Sequence, residues 1–239
     1  MSRYDTMAGG PMRTRESVLF QTYDEENTRR MAGVFEVSHP LIQNHLAVLR
    51  DVSTGPAEFR LLIQRLAVLL GYEATKDLVV EPIDVHTPLA MAAGHRLTQR
   101  VGLVPILRAG LGMVDPLLNL LPAAEVWHLG LYRDETTAQP VEYYRRFSET
   151  DPVDVALILD PMLATGGSAG LALATLREWR VPAVKLLSVI ASRKGIREVE
   201  AAFPETQIYV CAIDSDLDEQ NFIVPGLGDA GDRIFNTPQ

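Results

Sequence analysis

Val155-Ala-Leu-Ile-Leu-Asp-Pro-Met-Leu-Ala-Thr-Gly-Gly-Ser168 is the stretch that decides the fold. Its apolar opening shows no polar alternation, which reads as a strand buried on both faces, the kind found inside a parallel sheet. The strand ends in Asp160. A short loop holding Thr165, Gly166, Gly167 and Ser168 then leads into a helical pattern from Ala169 to Trp179. The glycines stand where backbone must approach a ligand closely, at the N-terminal end of a helix whose first N–H groups lack internal partners. Such a turn cradles phosphate. Thr165 and Ser168 add hydroxyl donors, and Asp160 can accept hydrogen bonds from vicinal sugar hydroxyls. The same residues also fit a plain strand-to-helix turn with Ser168 as the helix cap.

Outward from this stretch, short β-rich runs alternate with helical ones, the signature of βαβ units. The candidate strands are Leu78 to Val85, Val101 to Leu107, Val126 to Tyr132, Val141 to Phe147, Val155 to Asp160, Val184 to Ile190 and Ile208 to Ile213. Helices are expected over Leu111 to Leu120, Ser168 to Trp179 and Gly195 to Phe203. The connection between Tyr132 and Val141 is too short for a crossover helix, so that pair reads as an antiparallel hairpin arm. Two amphipathic helices, Pro40 to Asp51 and Pro56 to Gly71, precede the sheet, with Thr54-Gly-Pro56 punctuating between them. Residues 1 to 33 show weak periodicity and read as an extension, leaving residues 34 to 239 as a single domain.

The loop Leu107-Arg-Ala-Gly-Leu-Gly112 also follows an apolar strand, and places Arg108 at the carboxyl edge where open α/β sheets bind ligands. A guanidinium fork suits bidentate contact with phosphate oxygens. Arg133, on the hairpin arm, is a second candidate, and a mobile arm could close over a ligand. In the tail, Gly226, Gly228 and Gly231 satisfy G-x-G-x-x-G, but Pro225 precedes them and too few residues follow for a crossover helix and second strand. That run instead offers backbone N–H and C=O groups in a tight loop beside Asp229, an edge able to read a planar heterocycle.

Composition closes other routes. The net charge of −9 on 239 residues argues against a polyanion as the main partner, whether nucleic acid or membrane surface. No apolar run approaches the roughly 18 residues needed to span a bilayer, so a soluble, cytoplasmic protein is expected. The single cysteine, Cys211, lies in an apolar run and reads as an inert core thiol. The histidines at 39, 45, 86, 95 and 128 show no metal-ligand spacing.

Together these motifs resemble the uracil phosphoribosyltransferase family. Asp160-Pro-Met-Leu-Ala-Thr-Gly-Gly-Ser168 is similar to its 5-phospho-α-D-ribose 1-diphosphate (PRPP) motif. Pro105-Ile-Leu-Arg-Ala-Gly-Leu-Gly-Met113 resembles its pyrophosphate loop, and Ile223-Val-Pro-Gly-Leu-Gly-Asp-Ala-Gly-Asp232 its uracil loop. His39-Pro-Leu-Ile42 and Tyr72-Glu-Ala-Thr75 extend the likeness, which runs from about residue 34 to 237. The resemblance implies an open, mostly parallel α/β sheet flanked by helices, with an antiparallel hairpin arm and a helical N-terminal region. It implies a magnesium-dependent salvage reaction, uracil plus PRPP giving UMP and diphosphate.

Carried over by position, the resemblance gives Ala164, Thr165, Gly166, Gly167 and Ser168 the 5′-phosphate, Asp160 the ribose hydroxyls, and Arg108 and Arg133 the pyrophosphate. Pro161, Met162 and Leu163 complete the PRPP segment. Main-chain groups of Ile223, Gly228 and Ala230 would hold uracil. Asp229 would contact uracil and face PRPP and its metal, either as a group that orients or deprotonates N1 of uracil or as an anchor for the hydrated metal, and with Arg108 forms the catalytic pair; Mg2+ is carried by PRPP. Similar enzymes often have a non-proline cis peptide in the pyrophosphate loop, expected here at Leu107–Arg108. They form homodimers or homotetramers, and some respond to GTP. Phe222 stands where Tyr is common, and Asn236 where Gly is. Two other functions suit the same fold: a nucleotide-sensing, RNA-binding regulator, which needs a basic face, and the same transfer to another nucleobase.

Overall fold

The computed structural model describes residues 33–133, 140–145 and 151–237. Residues 1–32, most of the expected extension, lie outside these, as do residues 146 and 147 at the end of the expected strand from Val141. The chain opens with β1 (Gly33–Glu36), α1 (Pro40–Arg50), α2 (Pro56–Ala74), β2 (Val80–His86), β3 (Met91–Leu97) and β4 (Val101–Leu107). A 3-10 turn over Ala109–Met113 leads to α3 (Val114–Leu120), β5 (Glu125–Val126), β6 (Leu129–Arg133) and β7 (Pro140–Arg145). Then come β8 (Val155–Leu159), β9 (Met162–Leu163), α4 (Gly167–Glu178), β10 (Ala183–Ser192), α5 (Arg193–Ala202) and β11 (Gln207–Asp214). The tail holds β12 (Asp216–Leu217), β13 (Ile223–Val224) and α6 (Ala230–Phe235).

Nine strands form the main sheet among the described residues, in the order β1-β11-β10-β8-β4-β6-β7, with β5 beside β4 and β9 beside β10. Every pair is parallel except β6 with β7, the expected hairpin arm. The two faces explain the unbroken apolar runs. On β8, Val155, Leu157 and Leu159 point into the core beneath α1, α2 and α3, while Ala156 and Ile158 point into the core beneath α4 and α5. A strand covered on both faces has no solvent side on which to alternate polar residues.

Local chemistry sets the helix ends. Pro40 and Pro56 start α1 and α2, where a missing N–H costs nothing, and His39 Nδ1 caps α1 by accepting from Leu41 N at 3.1 Å. Phe59, Leu62, Ile63, Leu66 and Leu70 form the buried stripe of α2. Lys185, a buried lysine on β10, donates to Ala74 O at 2.6 Å and pairs with the Asp77 carboxylate, so its charge is met at the end of α2.

The structure corrects three expectations. The run from Leu78 to Val85 is not in the parallel sheet: β2 pairs only with β3, as a separate antiparallel hairpin. Its Glu81, Pro82 and Asp84 suit a solvated strand without a full donor ladder, and β3, with Ala92, Ala93 and Gly94, lacks the β-branched residues that mark strands. Gly33–Glu36, at the boundary of the expected extension, is an edge strand paired with β11. The helix expected from Leu111 divides into the 3-10 turn and α3.

That turn is set by Gly110, whose Cβ, if present, would stand 2.3 Å from Leu159 O and 3.1 Å from Pro105 Cα. Backbone cannot yield as a side-chain tip can. Gly110→Ala should therefore cost about 1–3 kcal/mol and lower Tm by roughly 5 °C. An unchanged thermal unfolding curve would show that the turn relaxes freely.

Candidate active site

The carboxyl ends of β4, β8, β10 and β11 open on one edge, where open α/β sheets bind ligands. On this edge Asp160 and Pro161 interrupt the ladder between β8 and β9. Leu159 lies opposite Leu187 and Met162 opposite Ile190, so the register is unchanged, and Asp160 N still donates to Leu187 O at 3.2 Å. Val189 and Ile190 both donate to Pro161 O at 3.0 Å. Ala164 leads to Gly166, which adopts φ 84° and is the N-cap of α4. Among the described residues no side chain caps this helix. Ser168 lies inside the first turn, so the alternative of a plain serine-capped turn does not hold. With no side-chain cap among the described residues, the start of α4 suits an external acceptor such as a phosphate.

The loop is backed by the first turn of α5. Ser192 Oγ donates to Ala164 O at 2.5 Å and accepts from Gly195 N at 2.9 Å. A Cβ on Gly195 would stand 2.4 Å from Ala164 O, and one on Gly166 3.1 Å from Gly195 O. Sequence reading missed Ser192 and Gly195. The signal was there: a serine three residues before a helical glycine matches cap spacing.

The peptide Leu107–Arg108 is cis, as expected. Arg108 is 58% exposed, and its Nη2 donates to Asp232 Oδ1 at 3.1 Å. Gly110 lays this loop against the end of β8, and Gly112 faces Ile234 and Ile63. Arg133 ends β6, which pairs with β4 through Ile106–Leu129 and Leu107–Gly130; its side chain lies outside the described residues.

In the tail, Val224–Pro225 is also cis, and Ile223 and Val224 pair with Leu217 and Asp216. Gly226 has φ 62°, with Ile223 O only 1.9 Å from where a Cβ would be. No other residue fits that turn. Ile223 and Ala230 are buried, while Gly228, at φ 76°, exposes backbone. Asp229 caps α6, its Oδ1 accepting from Asp232 N at 2.9 Å. Asn236 ends that helix at φ 55°, a left-handed position asparagine tolerates, so its replacement of Gly preserves the geometry. Phe222 is 41% exposed beside Ile223.

Residues that sequence reading passed over hold this tail. Arg50 Nη1 donates to Asp214 Oδ2 at 2.8 Å and to Gly226 O at 2.9 Å, while its Nη2 donates to Asp214 Oδ1 at 2.8 Å. Gly226 N completes the ring by donating to Asp214 Oδ2 at 3.1 Å. Arg233 donates to the carbonyls of Leu49, Leu227 and Asp51 at 2.7–2.8 Å, with its guanidinium 4.2 Å from the Phe59 ring centroid. These partners are distant in sequence and leave no local pattern.

The three motifs therefore meet. Asp160 has its pKa pushed up to about 7, first by burial and further by the charge of Asp229, against the opposing hydrogen bond from Met162 N at 3.3 Å. Carboxylate oxygens suit Mg2+, which prefers a few protein ligands together with phosphate and water. No group of three or more His, Cys, Asp or Glu gathers as a metal cage among the described residues. The carboxylates of Asp160 and Asp229 have the chemistry for a magnesium ion that keeps phosphate and water among its ligands. Burial pushes the Cys211 thiol up to about 12, which leaves it unreactive.

Comparison with known proteins points the same way. The profile named "Uracil phosphoribosyltransferase" matches residues 36–237. The chain is 51% identical over 207 residues to the uracil phosphoribosyltransferase of Roseiflexus castenholzii, covering 87% of this chain and 100% of that one. It is 49% identical over 212 residues to that of Symbiobacterium thermophilum, with the same coverage. Among solved structures, the AQ2163 protein from Aquifex aeolicus superposes with a TM-score of 0.80 at 36% identity, over 85% of this chain and 98% of that one. Among the described residues no helix is long and apolar enough to cross a membrane.

A carboxyl group with a raised pKa holds its proton longer in the folded chain than in the unfolded one. Between about pH 4 and pH 7 the folded state binds the extra proton, so the Asp160 contribution to stability falls as pH rises through that window. Asp160→Asn should raise Tm more at pH 8 than at pH 5, by roughly 5 °C. Equal shifts at both pH values would contradict the raised pKa.

Proposed function

The chain belongs to the uracil phosphoribosyltransferase family, and from that membership we propose how its residues divide the work of the reaction. The reaction is pyrimidine salvage: uracil and PRPP give UMP and diphosphate. The bond from ribose C1 to diphosphate breaks, N1 of uracil bonds to C1, and the N1 proton leaves. The meeting of the Arg108 loop, Asp160 and the Asp229 turn on one sheet edge carries the assignment.

The segment from Ala164 to Ser168 holds the 5′-phosphate at the uncapped start of α4. Asp160, ionised, accepts from the two ribose hydroxyls; those donors offset the cost of its burial. Arg108, with Arg133 from the arm, receives charge developing on the departing diphosphate, and such preorganised donors are worth most in the transition state. Main-chain groups of Ile223, Gly228 and Ala230 read the edge of uracil, and the ring of Phe222 supplies a wall without a hydroxyl. Asp229 commits Oδ1 to α6, which leaves Oδ2 to face PRPP. Mg2+ carried by PRPP would be held at Asp229 and would supply charge neutralisation on the diphosphate.

The same reading makes residues 34–239 the catalytic domain of a cytoplasmic homodimer or homotetramer, with GTP as an effector to be tested. A lone two-stranded hairpin is marginal in water, yet β2 and β3 expose Val80, Val85, Met91 and Leu97, which supports cover by a second copy.

The purified chain should form UMP from uracil, PRPP and magnesium, and should leave hypoxanthine, orotate and cytosine unconverted. Arg108→Ala should lower kcat/KM about 100-fold or more, as expected for one lost transition-state donor. A loss below about fivefold would remove Arg108 from the catalytic set.

A further inference from the structure

Asp232 has no role in the assignment above, yet it touches both sides of the site. Its Oδ1 accepts from Arg108 Nη2 at 3.1 Å and from Thr237 Oγ1 at 2.6 Å, while its backbone N–H donates to Asp229 Oδ1 at 2.9 Å. Gly231 makes room for this arrangement. A Cβ there would lie 3.2 Å from Asp229 Oδ1 and 3.8 Å from Arg108 Nη2, so guanidinium and carboxylate flank the same bare stretch of backbone.

An arginine that is 58% exposed samples many rotamers, and ordering it during the reaction costs entropy. A carboxylate that holds it beforehand removes part of that cost. The neighbouring acid, Asp229, is a poor holder, because an ion pair there would cancel the charge that faces PRPP. The Asp232 side chain is 17% exposed and is itself tied down by Thr237. Resting on the reading of Arg108 as a diphosphate ligand, we propose that Asp232 is a positioning residue. It keeps the Arg108 guanidinium ready for the departing diphosphate and apart from Asp229. An acid in the first turn of a helix also suits the helix dipole, but that role alone would not single out one substrate.

In the full chain, Asp232→Asn should lower kcat/KM for PRPP about tenfold, leave the uracil KM within about twofold, and be largely rescued by Asp232→Glu. In an Arg108→Met background, which removes every donor to Asp232, the same change should cost less than about twofold more. Equal losses in both backgrounds, a matching rise in the uracil KM, or no loss would overturn the proposal. Should Asp232→Asn misfold, Thr237→Val replaces it: a loss of about threefold that disappears in Arg108→Met supports the proposal, and one that persists overturns it. Absence of turnover in the unaltered chain would overturn the functional reading itself, and this inference with it.

Discussion

The close approach of Gly110 to the Leu159 carbonyl sets the geometry on which the site depends. It fixes how far the loop after β4 can stand from the end of β8, and so how far Arg108 stands from Asp160. A second contact of the same kind, Gly195 against Ala164 O, sets the depth of the loop that leads into α4. Both are backbone against backbone, the least compressible packing a protein has. The sheet beneath is equally unyielding, with β8 buried on both faces. What must be precise is built from parts without side-chain freedom, and the charged groups are mounted on it.

The tail is held by a different principle. Its turns run through left-handed glycines; Ile223, Leu227 and Ile234 are buried in the core, and arginines collect the polar backbone between them. Arg50 joins Asp214 to the Gly226 carbonyl while Asp214 takes the Gly226 N–H, and Arg233 gathers carbonyls from the end of α1 and from the tail. A guanidinium offers several donors in fixed directions, which suits it to collecting carbonyls from unconnected loops. The helical N-terminal region is therefore the frame against which the tail is pinned.

How much of this was legible depended on whether a feature is local. β8, its loop and α4 could be read because an unbroken apolar run, a glycine pair and a helical period sit within two dozen residues. Arg108 and Asp229 were reached through motifs of the same local kind. The alternative of a Ser168 cap on α4 fails because the backbone turns two residues earlier, at Gly166, where no local side-chain chemistry marks it. The β2–β3 hairpin was half seen: β3 carries alanine and glycine where strands usually show branched residues. Arg50, Asp214 and Arg233 were invisible, because their partners are brought near only by the completed fold.

Asp160 shows what such a site asks of its own sequence. A carboxyl group enclosed in the protein and facing a second acid works against the folded state at neutral pH. The ribose hydroxyls proposed above as its partners would offset that cost. A descendant of this chain freed from the reaction would gain stability by shedding that acid, whereas Gly110 and Gly195 would stay under the demands of packing. Divergence to a new use should thus begin at position 160, leaving the glycines as a fossil of the old site.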